Sequence, residues 1–364
     1  MNTRERFVRV LTGRDADRVP FMKIFGGTNA VNGRWLHQYP QINTYIDDLF
    51  GFEGRYRGWQ ITPVNTGLCG VPPDIVEYRS ETETRIRHGD GSVTVHMRRN
   101  DHFFNHTVEF PVKCRGDWER IKDNGWLNPD DPARFPIEWN HYVDIFNNRD
   151  YPLQLTCGGV YGFARKLLGD EELCIKLYED PELIEDIITV YIDMCLAIWE
   201  KMVVDVQFDI IECWEDMAYK NGSIISKKHF NEFLAPQYRR IRDFAGNSGI
   251  PIIMVDSDGN IMKLAEWMRE TGVNCMYPFE VQSGNDIKNI RKTLPDMGCI
   301  GGLDKECMAK NKNAMDEELE KARHLIPLGK FIPGPDHFVL ENVPFENYEY
   351  FMLGLKRIIM ETKF

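Results

Sequence analysis

Residues 251–280 read PIIMVDSDGNIMKLAEWMRETGVNCMYPFE. Pro251–Val255 is an apolar run of strand length, and Asp256-Ser257-Asp258-Gly259 ends it. Ile261–Glu270 then carries helical spacing, and Val273–Tyr277 is a second apolar run that ends in Pro278-Phe279-Glu280. Two short apolar strands joined through one helix form the repeating unit of a parallel sheet, because parallel neighbours need a crossover between them.

The same alternation extends outward from this stretch. Upstream, Tyr151–Thr156 is a strand candidate, and Asp180-Pro181 opens a helix with an N-cap acid and a proline at its first position. Leu183, Ile187, Tyr191, Met194 and Ile198 give that helix one apolar face, and Asp205–Ile211 is the next strand candidate. Ser226 opens a helical region that Pro236 interrupts. Downstream, Met297–Ile300 and Lys330–Ile332 read as strands, with helices at Ala314–Leu325 and Phe345–Glu361. Near the start, Thr3–Leu11 reads as a helix capped by Gly13, and Phe21–Phe25 as a buried strand. Between about residues 75 and 115 the pattern changes to β alternation around Asp90-Gly91, which predicts a β-hairpin insertion. The expected architecture is α/β: a single (β/α)8 TIM-barrel domain over residues 1–364, with an N-terminal helical segment and the hairpin appended. An open doubly wound sheet is the alternative, disfavoured because no G-x-G-x-x-G turn occurs.

Composition narrows the function. The chain has 364 residues and a net charge of −12. A surplus of acid opposes phosphate binding, so no nucleic-acid partner is expected. No apolar window is long enough for a membrane span, and the start, with Arg4, Glu5 and Arg6, has no apolar signal core. The nine cysteines include no C-x-x-C pair and read as free thiols of a cytoplasmic protein.

In a parallel barrel the C-terminal strand ends face the active site. Five consecutive ends deliver carboxylates: Glu212 with Glu215 and Asp216; Asp256 and Asp258; Glu280; Asp304, followed by Lys305; and Asp336, followed by His337. Acids that converge on one mouth repel each other unless a cation, a basic group or a raised pKa relieves them. Lys305 is one such basic group, and a metal ion is another. His337 is the leading ligand candidate, since histidine with carboxylates suits catalytic zinc. Cys157-Gly158-Gly159 is expected to form a tight turn, with Arg165 placed to meet an anionic group. Phe25, Tyr161, Trp214 and Tyr277 are the expected aromatic wall for a substrate, with Trp35 and Trp59 as further aromatic candidates.

Several blocks resemble uroporphyrinogen-decarboxylase-like proteins, in family order along nearly the whole chain. They are Arg4-Glu5-Arg6 with Arg18-Val19-Pro20, the run from Glu215 to Gly222, Asp256-Ser257-Asp258-Gly259-Asn260, Pro278-Phe279-Glu280-Val281, Gly301-Gly302-Leu303-Asp304-Lys305 and Ile332-Pro333-Gly334-Pro335-Asp336-His337. The resemblance implies a (β/α)8 barrel with one cleft at the strand C-termini, and it admits two chemistries. In the family, uroporphyrinogen decarboxylation uses an arginine-rich segment after the first strand. Here that place reads Met22-Lys23-Ile24-Phe25-Gly26-Gly27-Thr28-Asn29, without arginine. An acidic mouth lacking an arginine pair is a poor host for a polycarboxylate.

The other branch comprises zinc-dependent, corrinoid-linked methyltransferases, whose zinc is held by a His-x-Cys-Gly turn and a later cysteine. This chain has Asp256-Ser257-Asp258-Gly259 and Pro335-Asp336-His337 at those places, so both thiol ligands are missing. The resemblance therefore implies harder ligands, Glu280, His337 and one of Asp256 or Asp258, or no metal at all. Oxygen and nitrogen ligands suit activation of an ether oxygen. The expectation is a zinc-assisted transfer of a methyl group from a methoxylated substrate to a corrinoid partner protein that carries cobalamin. Glu215, Asp216, Asp304 and Lys305 are the expected groups for orienting substrate and handling protons. The alternatives are a metal-free decarboxylase or lyase, with Asp216 or Asp256 moving protons, and a non-enzymatic corrinoid-binding subunit.

Overall fold

A computed structural model describes residues 1–25, 35–39, 42–99 and 102–362. Seven parallel strands form the main sheet: β1 (Gln60–Ile61), β6 (Leu153–Cys157), β7 (Ile210–Trp214), β10 (Ile252–Asp256), β11 (Cys275–Tyr277), β12 (Gly298–Leu303) and β13 (Phe331–Pro335). Neighbours follow chain order, as short right-handed crossovers require. The sheet curls into a TIM-barrel-like α/β fold. Every residue of β10, β12 and β13 is buried, because helices cover the outside and side chains fill the inside.

The expected strand at Phe21–Phe25 is not a strand. Ile24 adopts φ +54°, which interrupts any ladder. The segment is nonetheless held at both ends of the sheet order. Ile24 N–H donates to the Arg57 carbonyl (2.7 Å) just before β1. Against β13, a Cβ on Gly334 would lie 2.3 Å from Ile24 Cδ1. This irregular segment therefore takes the place of an eighth strand. Two other expectations shift. The strand at Asp205–Ile211 begins only at Ile210 and runs on to Trp214, so Glu212 lies inside it. The two-residue β1 carries no readable period and escapes the sequence pattern.

The insertion is larger than a hairpin. β2 (Ile75–Arg79), β3 (Glu83–Arg87), β4 (Val93–Arg99) and β5 (His102–Glu109) form a four-stranded antiparallel sheet, and β8 (Ala218–Tyr219) pairs with β9 (Gly222–Ser223) in a short antiparallel ribbon after β7. The Asp90-Gly91 turn joins β3 and β4 as expected, with Gly91 at φ +97°. His88 bonds Asp74 (2.8 Å) and Thr94 (2.8 Å), a structural role.

Local capping follows the sequence. Gly13 closes the helix Thr3–Thr12 in the left-handed conformation (φ 72°). Asp180 caps the helix Pro181–Met202 by accepting from Leu183 N–H (3.2 Å). Pro236 follows a wide π-type turn at Phe230–Leu234, where the missing N–H is tolerated. The nine cysteines are all free. Among the described residues, no helix is long and apolar enough to cross a membrane.

Candidate active site

A cleft of about 440 Å³ opens at the C-terminal strand ends. The parallel register sets those ends level: Asp256 pairs with Trp214 on one side and with Tyr277 on the other. Phe25, Trp59, Phe338 and Trp214 line its apolar walls, and Gln154, Glu212, Asp216, Asp256, Asp258, His337 and Arg57 supply its polar groups.

His337 stacks on Phe25 (centroids 4.9 Å apart, planes 19° apart), and Phe338 meets both rings edge-on. This fixes the imidazole with Nε2 3.3 Å from Asp258 Oδ2. Ligand atoms of Asp258, Glu280 and His337 all lie within 4.8 Å of one another. Two carboxylates and one imidazole at that spacing suit zinc and leave a position open. Glu280 is fixed from behind: Oε2 accepts from Gly259 N–H (3.0 Å), and Oε1 pairs with Lys305 Nζ (3.2 Å). Lys305 in turn lies 3.8 Å from Asp336. Asp336 is fully buried and accepts from the backbone of Val281 (2.7 Å) and Lys305 (3.0 Å), and burial still pushes its pKa up to about 6.

A second acidic group, Asp216, Asp256 and Asp258, shares Asp258 with the first. Asp216 pairs with Arg165 (3.4 Å) and accepts from Asp258 N–H (3.3 Å). Burial raises its pKa, the Asp258 charge adds to the rise, and Arg165 opposes it. Asp256 faces Arg57 (3.4 Å). Burial and the Glu212 charge hold the Asp256 pKa well above the carboxylate range, against the pull of Arg57. Asp256 thus belongs to this second group, and Asp258 is the aspartate that joins His337.

Arg57 is a cleft residue that the sequence reading, which expected no arginine pair at the mouth, did not name. Its guanidinium lies 4.2 Å from the Phe25 ring centroid and 3.2 Å from the Tyr277 hydroxyl. Residues 26–29 of the segment where arginine was sought lie outside the described residues. Arg57 enters from the loop before β1, where no sequence period marks it. Gln154 carried a signal that went unused, as a polar residue inside an apolar strand, and Glu212, expected at a strand end, lies within β7. Tyr277 O–H and Gln154 N–H both donate to the Glu212 carboxylate at the centre of the barrel.

The structure places Glu215, Asp304 and Tyr161 outside the lining of the cleft. Glu215 is wholly buried, where it accepts from Val160 N–H (2.7 Å), Gly162 N–H (2.8 Å) and Tyr238 O–H. It holds the start of the helix Val160–Leu168, and burial raises its pKa to about 7. Asp304 accepts from Glu306 N–H (2.9 Å) and Gln282 Nε2 (2.8 Å), and so shapes a turn. Tyr161 is buried and donates to Asp170 (3.1 Å). Trp214 is half exposed and also lines an adjoining cleft of about 470 Å³ with Thr156, Phe163, Arg165 and Tyr191.

Fold-level comparison finds a methyltransferase from Methanosarcina mazei at TM-score 0.62 and 16% identity, covering 98% of this chain and 99% of that one. A structure described as a candidate vitamin-B12-independent methionine synthase from Listeria monocytogenes aligns at TM-score 0.33 and 12% identity, over 60% of this chain and 68% of that one. No curated protein sequence matches. The model of the uroporphyrinogen decarboxylase (URO-D) family matches residues 147–357, which run from just before β6 almost to the end of the last helix and include every carboxylate of the cleft. The chain belongs to the uroporphyrinogen decarboxylase (URO-D) family.

Proposed function

We propose that this protein is a zinc-assisted methyltransferase that takes a methyl group from a methoxylated substrate and passes it to a partner corrinoid protein. The carrying observation is the convergence of Asp258, Glu280 and His337 within 4.8 Å beside an aromatic-walled cleft. Support comes from family membership and from the likeness of fold to the Methanosarcina mazei methyltransferase. Bound by these three side chains, zinc supplies Lewis-acid polarisation of an ether oxygen.

The chain's own residues do the remaining work. Phe25, Trp59 and Phe338 shed water around the organic part of the substrate and favour a flat ring. The Phe25–His337 stack holds the imidazole in one orientation before any ligand arrives. Lys305 keeps the Glu280 carboxylate aimed, with Asp336 holding Lys305 in turn. Arg165 holds Asp216 at the rim.

Metal analysis of the purified protein, joined to a screen of methyl ethers with cob(I)alamin as acceptor, tests the reading. The wild type is expected to carry about one zinc and to demethylate at least one ether, and His337→Ala to lose both properties. Full metal content and full activity in His337→Ala would overturn it. A metal-free carboxy-lyase is the second reading, favoured by Arg57, whose guanidinium in the cleft suits a substrate carboxylate. A wild-type protein without metal that releases CO2 from a carboxylate substrate would decide for that reading.

A further inference from the structure

Methyl transfer from an ether leaves an oxygen that needs a proton, and the acids of the cleft differ in their ability to hold one. Asp216 faces Arg165, Asp256 faces Arg57, Asp258 faces His337 and Glu280 faces Lys305. Among the described residues, Glu212 is the one acid lining the cleft without an ion-pair partner in contact: neutral groups donate to it, and the Arg57 charge acts on it from farther off. Its carboxylate receives the Tyr277 hydroxyl on Oε1 and the Gln154 amide on Oε2. It sits inside β7, between strands β6 and β10, where solvent does not neutralise it.

We propose that Glu212 enters the reaction as a carboxylic acid and protonates the oxygen that leaves the methyl group. The proposal rests on the methyl-transfer reading above. The atoms balance as follows. The C–O bond breaks with its electron pair on oxygen, and the methyl carbon bonds to the electron pair of the reduced, Co(I), corrinoid. The Glu212 O–H bond breaks, and its proton bonds to the oxygen to give the alcohol or phenol. Water entering the cleft after product release returns the proton.

The surroundings of Glu212 support storage of a proton there. From β11 the Tyr277 hydroxyl faces it; from β6, Gln154 and, bonded to that amide at 3.0 Å, Thr156; from β10, Asp256; and from the loop before β1, Arg57. Burial is the largest influence and raises the Glu212 pKa, while the two hydrogen bonds and the Arg57 charge pull the other way. The acid form therefore persists above the ordinary glutamate range, and activity falls as pH rises through the shifted value.

The test compares the wild type with Glu212→Gln, using cob(I)alamin as acceptor and two donors, anisole and pentafluoroanisole. The fluorinated phenolate leaves without help from an acid, and the plain phenolate does not. Glu212→Gln is expected to slow anisole demethylation by about 10²–10⁴-fold. Pentafluoroanisole should lose less than about tenfold, with KM and zinc content unchanged. The alkaline fall in the wild-type anisole profile should disappear in the variant. Because both donors are read on one folded variant, a folding defect would slow both equally. Equal loss with both donors, or no loss with anisole, overturns the role of Glu212. A wild type that demethylates neither donor nor any other ether overturns the methyl-transfer reading, and the proposal with it.

Discussion

Replacing Glu215 with glutamine separates a structural carboxylate from a chemical one. Glu215 is fully buried and accepts three hydrogen bonds, two of them from the first turn of the helix Val160–Leu168. Burial outweighs those bonds and leaves the pKa at about 7, against 4.5 for the unperturbed group. That rise corresponds to about 3 kcal/mol of differential stabilisation of the neutral form. The folded-state pKa is the raised one, so this stability is fully present below about pH 4.5 and lost as pH climbs through about 7. Glutamine has nearly the same shape and does not titrate. One amide oxygen cannot accept from the donors of both carboxylate oxygens, so Glu215→Gln starts lower near pH 4.5, and its stability relative to the wild type should rise by about 3 kcal/mol between pH 4.5 and pH 8. At roughly 2.1 cal/mol/K per residue over 364 residues, that difference is worth about 4 °C in the unfolding midpoint. Thermal and urea unfolding of both proteins from pH 4 to 8 would measure it. Parallel stability curves would refute the buried-charge account. Lost methyl transfer with unchanged unfolding would refute the structural role and return Glu215 to the chemistry.

Four further outcomes follow from the geometry. Lys305→Met removes the cation from Glu280 and should weaken zinc binding by about 10–100-fold in a competition titration; equal affinity would show that Lys305 does not aim that ligand. Zinc at 100 times its dissociation constant should stabilise the wild type by about 2.7 kcal/mol. Calorimetry should show no such gain in His337→Ala, and an equal gain would place the metal elsewhere. Gly162→Ala would ordinarily favour a helix, yet the added Cβ would come 2.1 Å from the Trp214 carbonyl. Chemical unfolding should show a loss of about 1–3 kcal/mol, and a neutral or stabilising result would contradict the close approach of this helix to β7. Arg57→Met removes the cation that pairs with Asp256 and lowers the Glu212 pKa from farther off, so both acids should hold their protons to higher pH. Carboxyl infrared bands titrating at unchanged pH would contradict that electrostatic link.

Legibility in the sequence tracked the length of each element. β10, β11, β12 and β13 were each legible as short apolar runs bounded by turns, because strands buried on both faces need continuous apolar residues. The carboxylates after them were legible for the same reason: a strand end is visible where the apolar run stops. β1 was not, since two residues hold no period, and Arg57 stayed hidden with it. Phe21–Phe25 has the composition of a strand, but the positive φ at Ile24 is set by contacts with β13 and with the loop before β1.

The candidate site divides along the same line. By itself, the sequence determined the parallel α/β architecture and the acids at the strand ends, because both follow from local pattern; the absence of thiols where the family's zinc cysteines are expected came from the resemblance. Only the tertiary structure decided which acids meet. It joined Asp258 and Glu280 to His337, moved Asp256 toward Arg57, and withdrew Glu215 and Asp304 into helix and turn caps. The physical reason is that a carboxylate's role depends on the donors and charges within a few ångströms of it, and those come from segments as distant in sequence as Arg57 is from Asp256 and Tyr277.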